Sequence, residues 1–206
     1  MLDGLMRRAL DPSLNSAGRA LAVRGVRANH VTLFGLALGL VAAGLIGVGA
    51  STWLALVPLA ASRLADGLDG AVARASNITD FGGFLDIVCD FIFYGAIPLA
   101  FVLRDHTANG IAGAFLLTSF YANGASFLAF AILAAKRGME TETRGVKSLY
   151  FTAGLLEGTE TIAFFCILCI WPSAFAPLAW VFGALCVLTT SSRIMLARQM
   201  FGKKKS

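Results

Sequence analysis

Aspartate is concentrated in one short stretch of this hydrophobic chain. The segment DGLDGAVARASNITDFGGFLDIVCD begins at Asp66 and ends at Asp90, in a protein of 206 residues of which 57% are hydrophobic. Asp66 and Asp69 are three residues apart, so on a helix they share one face. Asp86 and Asp90 are four residues apart and share a face in the same way. Grouped carboxylates favour hard divalent cations, so the spacing predicts a site for Mg²⁺ or Mn²⁺.

The elements that must position these carboxylates are membrane helices. Only 14% of the residues are charged, whereas soluble domains carry about a quarter. Residues 31–62 and 161–192 contain no charge, and each run is too long for one span of about 20 residues and too short for two. Some spans must therefore extend into charged segments. We predict an all-α integral membrane bundle of six transmembrane helices at residues 30–49, 52–75, 81–103, 108–135, 149–170 and 174–199.

The N-terminal segment is amphipathic and too polar to span a bilayer. Apolar residues recur at helical spacing within residues 1–28, with a break at Pro12, and arginines lie off the apolar stripe. This pattern is typical of an interfacial helix on an anionic leaflet. We therefore expect an interfacial amphipathic segment at residues 1–28, a six-helix transmembrane domain at residues 29–200 and a basic tail at residues 201–206.

Lysine and arginine set the predicted orientation. With six spans both termini lie on one side, together with the loops after the second and fourth spans. That side carries nearly all of the basic residues, whereas the opposite side has Arg104. The positive-inside rule then places the termini and the acidic stretch at the cytoplasmic face. Because the basic residues lie between hydrophobic runs rather than along one stripe, nucleic acid is not expected as a partner.

The second and third predicted spans form a hairpin that brings the carboxylates together. In an antiparallel pair joined by a loop at residues 75–81, Asp66 lies level with Asp90. In the same register Asp69 lies level with Asp86. We therefore expect four carboxylates to converge just inside the cytoplasmic face.

Charge counting supports a cation site in this hairpin. Arg63 and Arg74 supply two positive charges against four negative ones, and a charged residue at depth costs at least about 2.5–3.5 kcal/mol on insertion scales. Bound divalent cations would supply the deficit of two charges. A structural ion-pair network is the alternative, although four acids exceed what two arginines can pair. Asp80 lies in the loop, where we expect a solvated helix N-cap.

The same residues resemble the signature of an enzyme family. The pattern Asp66-x-x-Asp69-Gly70-x-x-Ala73-Arg74, then Gly82-x-x-x-Asp86-x-x-x-Asp90, is similar to that of the CDP-alcohol phosphotransferases, six-span membrane enzymes of phospholipid synthesis. Residues 29–32 resemble the start of the family's first span, with Ala28 where the family has proline. Residues 75–81 make the loop before Gly82 one residue shorter than is usual in the family. That difference concerns loop contacts to a nucleotide more than the metal site.

The resemblance implies a transfer reaction in a bacterial-type inner membrane. A phosphatidyl group would pass from a CDP-linked donor, usually CDP-diacylglycerol, to an acceptor hydroxyl, with release of CMP. Two divalent ions, Mg²⁺ or Mn²⁺, would be held by Asp66, Asp69, Asp86 and Asp90, and Asp90 would also be the catalytic base. The nucleotide would lie against Asp66, Asp69, Gly70, Ala73 and Arg74. Enzymes of this layout are similar to known homodimers, so we expect a homodimer.

Three basic residues are candidates for binding the acceptor. Arg144 and Lys147 lie at the mouth of the fifth predicted span, and Arg193 lies near the cytoplasmic end of the sixth. In family members with phosphorylated acceptors, basic residues from these places bind the phosphate, which favours glycerol 3-phosphate. Ordinary positive-inside charge is the alternative. Serine, inositol phosphate, choline and a second lipid remain open as acceptors.

Two further alternatives remain open. Glu157 and Glu160 lie three residues apart in the fifth predicted span and suit either the acceptor site or a pairing with Arg63. A cation transporter with an acidic intramembrane site is the rival class of function. A transporter predicts a midplane site and an internal repeat. The sequence has no evident repeat, and its acids cluster near one face.

Overall fold

The fold is entirely α-helical in the part of the chain that the structure describes. A computed structural model describes residues 2–139 and 158–202. Seven α-helices lie in these ranges: α1 Leu2–Val23, α2 Ala28–Gly47, α3 Thr52–Ala75, α4 Asp80–Arg104, α5 His106–Lys136, α6 Gly158–Ile170 and α7 Phe175–Phe201. A short 3₁₀ turn, Pro172–Ala174, precedes α7. The predicted all-α class is confirmed.

Several helices have the character of membrane spans. By length and composition α2, α4, α5 and the segment Pro172–Phe201 could each cross a bilayer. The described part of α6 is apolar but has 13 residues. α3 has 24 residues, and its second half carries the charged side chains of the acidic stretch. The bundle is therefore that of an integral membrane protein. That α3 and α6 also cross the membrane, which would give six spans, stays a prediction.

The helix boundaries around the acidic stretch lie close to the predicted ones. α3 covers residues 52–75 as predicted, and α4 begins at Asp80, one residue before the predicted start. The prediction that Asp80 is the N-cap is wrong. Thr79 is the cap, because its Oγ1 accepts a hydrogen bond from the Gly82 amide at 3.0 Å. Asp80 instead lies in the first turn, where its charge interacts favourably with the helix dipole.

The predicted break at Pro12 is also wrong. α1 is one helix from Leu2 to Val23, with Pro12 inside it. Proline removes one backbone donor from the helix, and the Pro12 side chain is exposed. α1 packs against α3. A β-carbon added at Gly18 would lie 2.7 Å from Ala71 Cβ, so glycine permits this close approach.

α2 is the helix that holds the acidic hairpin in place. It packs against both α3 and α4, while α5 packs against α4 and α7. Phenylalanines fill the core between these helices: Phe93, Phe101, Phe165 and Phe175 are fully buried. The rings of Phe101 and Phe175 stack at a centroid distance of 5.1 Å. Because Phe93 follows Asp90 by three residues on α4, the apolar core begins directly beside the acidic residues.

Candidate active site

A tight turn at residues 76–79 joins α3 to α4. At the end of α3, the amide of Ser76 donates to the Val72 carbonyl at 3.0 Å, and its Oγ donates to the same carbonyl at 2.8 Å. Thr79 then caps the start of α4. Local hydrogen bonds therefore close both helix ends on either side of the four-residue turn.

Three aspartates of this hairpin come together. One carboxylate oxygen from each of Asp66, Asp86 and Asp90 lies within 4.8 Å of the other two. Asp66 comes from α3 and the other two from α4, in agreement with the register predicted for Asp66 and Asp90. All three side chains are partly buried. Like charges at this separation repel one another, so the group favours a bound cation. We call these three residues the aspartate triad.

Arg63 supplies one positive charge to the aspartate triad. Its Nη1 lies 2.8 Å from Asp90 Oδ1 and 3.5 Å from Asp66 Oδ1. The arginine side chain is only 10% exposed. Three carboxylates and one guanidinium leave a net charge of two negative units. Glu160 lies in the first turn of α6. Glu157 lies outside the described residues, and both alternatives for the two glutamates, the acceptor site and a pairing with Arg63, stay predictions.

Asp69 lies near the triad and is the most buried of the four acids. It is 5% exposed, and its Oδ2 has no hydrogen-bond partner among the described residues. Thr32, on α2, lines the same cavity as Asp69, and its hydroxyl donates to the Ala28 carbonyl at 3.1 Å. A buried carboxylate oxygen without a partner is costly unless something binds it. Oxygen ligands with excess negative charge fit Mg²⁺ or Mn²⁺, so the residues present are compatible with the predicted metal ions.

A cavity of about 220 Å³ opens beside Asp69 and Asp86. α2, α3, α4 and the intervening turn form its walls: Ala28, Asn29, Thr32, Asp69, Gly70, Ala73, Arg74, Asn77, Ile78, Thr79, Gly82, Gly83 and Asp86. The predicted nucleotide residues Gly70, Ala73 and Arg74 thus line one cavity with two of the acids. Asp66, also predicted to contact the nucleotide, lies in the triad instead. The cavity is smaller than typical ligand pockets of roughly 300–1,000 Å³, so it suits part of a nucleotide.

Arg74 has a different partner from the one that charge counting suggested. Its Nη2 donates to Asn15 Oδ1 of α1 at 3.0 Å, rather than to a carboxylate of the described residues. Asn15, Asn29 and Thr32 were not among the predicted site residues. Asn29 and Thr32 could have been found, because they are polar residues in the first turns of an apolar helix. Asn15 has no comparable signal in the sequence.

The structure describes one of the three predicted acceptor residues. Arg144 and Lys147 lie outside the described residues. Arg193 is 8% exposed on α7, where its Nη1 donates to Asn123 Oδ1 at 2.9 Å and to Ser126 Oγ at 2.6 Å. These bonds join α7 to α5. The acceptor role of the three basic residues stays a prediction.

Comparison with known proteins relates this geometry to a family. The family described as CDP-alcohol phosphatidyltransferase matches residues 26–191, a range that contains the whole acidic hairpin and every residue of the cavity wall. The chain is 44% identical to the inner membrane protein YnjF of Escherichia coli (strain K12) over 196 residues, which is 94% of each chain.

More distant relatives match a shorter part of the chain. An uncharacterized protein of Aquifex aeolicus is 36% identical over 125 residues, 57% of each chain. The archaetidylinositol phosphate synthase of Pyrococcus horikoshii is 31% identical over 124 residues, 57% of this chain and 65% of that protein. Because the family match covers most of the chain and includes the aspartate triad, this protein belongs to the CDP-alcohol phosphatidyltransferase family of membrane enzymes.

Proposed function

We propose that this enzyme transfers a phosphatidyl group from CDP-diacylglycerol to an acceptor hydroxyl and releases CMP. The observation that carries the proposal is the aspartate triad beside a cavity that Gly70, Ala73 and Arg74 line. A CDP-linked lipid has a nucleotide, a diphosphate and a membrane-embedded tail. The cavity suits part of the nucleotide, the grouped acids suit metal ions that bind the diphosphate, and the membrane helices suit the lipid tail.

We propose that Asp66, Asp69, Asp86 and Asp90 hold two divalent ions, Mg²⁺ or Mn²⁺. The net negative charge of the triad with Arg63 supports this, as does the unpartnered Oδ2 of buried Asp69. When bound, such ions supply Lewis-acid stabilisation of charge on the diphosphate. The protein's own contribution is to keep the four carboxylates in register across the hairpin.

Asp90 is the proposed catalytic base. As the acceptor oxygen forms its bond to phosphorus, the bond between phosphorus and the CMP oxygen breaks, and the hydroxyl proton passes to Asp90. Arg63 binds Asp90 through Oδ1, which leaves Oδ2 for the proton. The Asp90 side chain is 29% exposed, so an acceptor can reach it.

Glycerol 3-phosphate is the proposed acceptor. The proposal depends on Arg144, Lys147 and Arg193, whose guanidinium and ammonium groups suit a phosphate. Arg193 uses Nη1 for its bonds to α5, so an acceptor would have to bind its other nitrogen atoms. The name of the P. horikoshii relative makes inositol phosphate the second candidate, and serine, choline and a lipid hydroxyl complete the set.

We also propose a location in a bacterial inner membrane, with both termini and the site on the cytoplasmic side. Residues 29–200 would form the catalytic domain of a homodimer, between an interfacial segment at 1–28 and a basic tail at 201–206. The positive-inside rule supports this location, as does the name of the E. coli relative, an inner membrane protein. Reporter enzymes fused to the C-terminus test the orientation, and crosslinking in native membranes tests the dimer.

Release of CMP tests the proposed reaction directly. Purified protein in nanodiscs is incubated with CDP-diacylglycerol, Mn²⁺ and one acceptor at a time, and CMP and the lipid product are quantified. We expect release with glycerol 3-phosphate and none from the Asp90→Asn variant. Asp80→Asn is the matched control, because Asp80 lies on the same helix but outside the triad.

Two outcomes would contradict the proposal. Absence of CMP release with every acceptor would remove the proposed reaction and favour the transporter alternative. Release with serine, choline or inositol phosphate alone would retain the donor chemistry but remove glycerol 3-phosphate as the acceptor.

A further inference from the structure

Arg63 is a largely buried cation beside the aspartate triad. It lies three residues before Asp66, where the family pattern begins, so it is not part of that pattern. Its guanidinium reaches both arms of the hairpin, with Nη1 at 2.8 Å from Asp90 Oδ1 on α4 and at 3.5 Å from Asp66 Oδ1 on α3. One side chain therefore links the proposed base to a proposed metal ligand.

The guanidinium is held in this position by the apolar core. Its Cζ lies 3.9 Å from the centroid of the fully buried Phe93 ring. Nη2 donates to Ser62 Oγ at 3.2 Å, and Ser62 is itself fully buried. A β-carbon added at Gly39 would lie 2.6 Å from Phe93 Cδ2, so glycine on α2 makes room for the ring beneath the arginine. Arg63 thus has a defined orientation towards the carboxylates.

We propose that Arg63 is a positioning residue that holds Asp66 and Asp90 together before a divalent ion binds and competes with that ion for the triad. This inference rests on the proposed metal site. A fixed positive charge within hydrogen-bond distance of a ligand carboxylate opposes a second cation at the same oxygens. The same charge keeps the carboxylates from separating while no ion is bound.

A competing charge and a purely structural side chain have opposite consequences for metal binding. If Arg63 competes, its removal exposes the full negative charge of the triad, and the affinity for Mn²⁺ rises. If Arg63 serves only to pack α3 against α4, its removal loosens the ligands, and the affinity falls. The direction of the change in Mn²⁺ affinity therefore separates the two roles.

The test uses full-length protein in nanodiscs, stripped with EDTA and titrated with Mn²⁺ while the signal of free Mn²⁺ is followed by electron paramagnetic resonance. We expect Arg63→Met to bind Mn²⁺ at least tenfold more tightly than the wild type, and Arg63→Lys to stay within about threefold of it. At saturating Mn²⁺ we expect Arg63→Met to lose at least tenfold in kcat with an unchanged KM for CDP-diacylglycerol, because Asp90 is no longer oriented.

Arg104→Met is the matched control. Arg104 is a partly buried arginine whose Nη1 donates to the carbonyls of Ala50 and Ile46, so its loss also removes hydrogen bonds within the bundle. We expect no change in Mn²⁺ affinity. If Arg63→Met does not fold without metal, Arg63→Gln replaces it. The lost charge predicts the same gain in Mn²⁺ affinity, and the donor that glutamine keeps for Asp90 predicts a smaller loss in kcat.

Each result bears on one claim. Mn²⁺ affinity that is unchanged or weaker in Arg63→Met and Arg63→Gln overturns the competition, and an unchanged kcat in Arg63→Met overturns the positioning role. Both results leave the proposed function intact when the wild type binds Mn²⁺ and releases CMP. A wild type that does not bind Mn²⁺ overturns the proposed metal site, and this inference with it.

Discussion

Replacing Asp86 with asparagine should stabilise the metal-free protein. Oxygens of Asp66, Asp86 and Asp90 lie within 4.8 Å of one another. At an effective dielectric constant of about 20, two unit charges at that distance repel by about 3.5 kcal/mol. Asp86 is repelled by Asp66 and Asp90 and attracted by Arg63, so the net effect is about one repulsion. Partial exposure and salt reduce this net repulsion to about 1–2 kcal/mol.

The sign of the stability change should reverse when Mn²⁺ is present. In EDTA a gain of about 1–2 kcal/mol raises the Tm of a chain of this size by about 2–8 °C. In Mn²⁺ at a hundredfold excess over its Kd, the wild type gains about 2.7 kcal/mol from binding. The Asp86→Asn variant lacks one metal ligand, so it gains much less free energy from Mn²⁺ binding. Asp86→Asn should therefore be more stable than the wild type in EDTA and less stable in Mn²⁺.

Buried thiols provide the assay. Cys89, Cys169 and Cys186 are buried, so a thiol-reactive fluorescent dye reports unfolding in nanodiscs on heating. Asp80→Asn is the matched control, because Asp80 is an exposed acid in the first turn of the same helix. Its Tm should change equally in EDTA and in Mn²⁺. If Asp86→Asn lowers Tm by the same amount in both conditions, the triad is an ion-pair network rather than a cation site, and the reasoning is refuted.

Two other pairs of substitutions test the chemistry and the packing separately. Asp90→Asn should keep Mn²⁺ affinity better than Asp69→Asn in a paramagnetic resonance titration, while CMP release falls at least a hundredfold. Equal loss of Mn²⁺ in both variants would remove the role of Asp90 as the base. Gly39→Ala should lower the free energy of unfolding by about 1–3 kcal/mol through overpacking against Phe93, measured by denaturant titration. Gly44→Ala, with open space around its β-carbon, should have little effect, and an equal loss in both would contradict the packing argument.

The acidic hairpin could be predicted because its information is local in the sequence. Span lengths forced the acids into two helices, and the antiparallel register aligned Asp66 with Asp90. The residue that caps the N-terminus of α4 could not be predicted from local sequence in the same way. Threonine and aspartate are both good N-caps, and they are adjacent at Thr79 and Asp80. Only the hydrogen bond from the Gly82 amide distinguishes them.

Partners that come from distant parts of the chain could not be predicted. Charge counting treated Arg63 and Arg74 as equivalent cations facing the acids. In the structure Arg63 binds the triad, whereas Arg74 turns to Asn15 on α1. The amphipathic pattern of α1 indicated a surface helix but gave no sign that Gly18 would let it pack against α3. Which of two arginines meets which partner depends on helix packing, and no single segment of sequence specifies it.

The acids and the cavity therefore depend on different features of the chain. The triad requires that α3 and α4 keep their register, which α2 supports by packing against both helices, with Arg63 bridging Asp66 and Asp90. The cavity also needs Asn29 and Thr32 from α2, together with Asn77 and Ile78 from the turn. The loop that is one residue shorter than the family pattern includes these turn residues, so we expect its length to affect the cavity wall rather than the positions of the carboxylates. Selectivity for the nucleotide or the lipid would then differ between members of the family while the acidic hairpin stays the same.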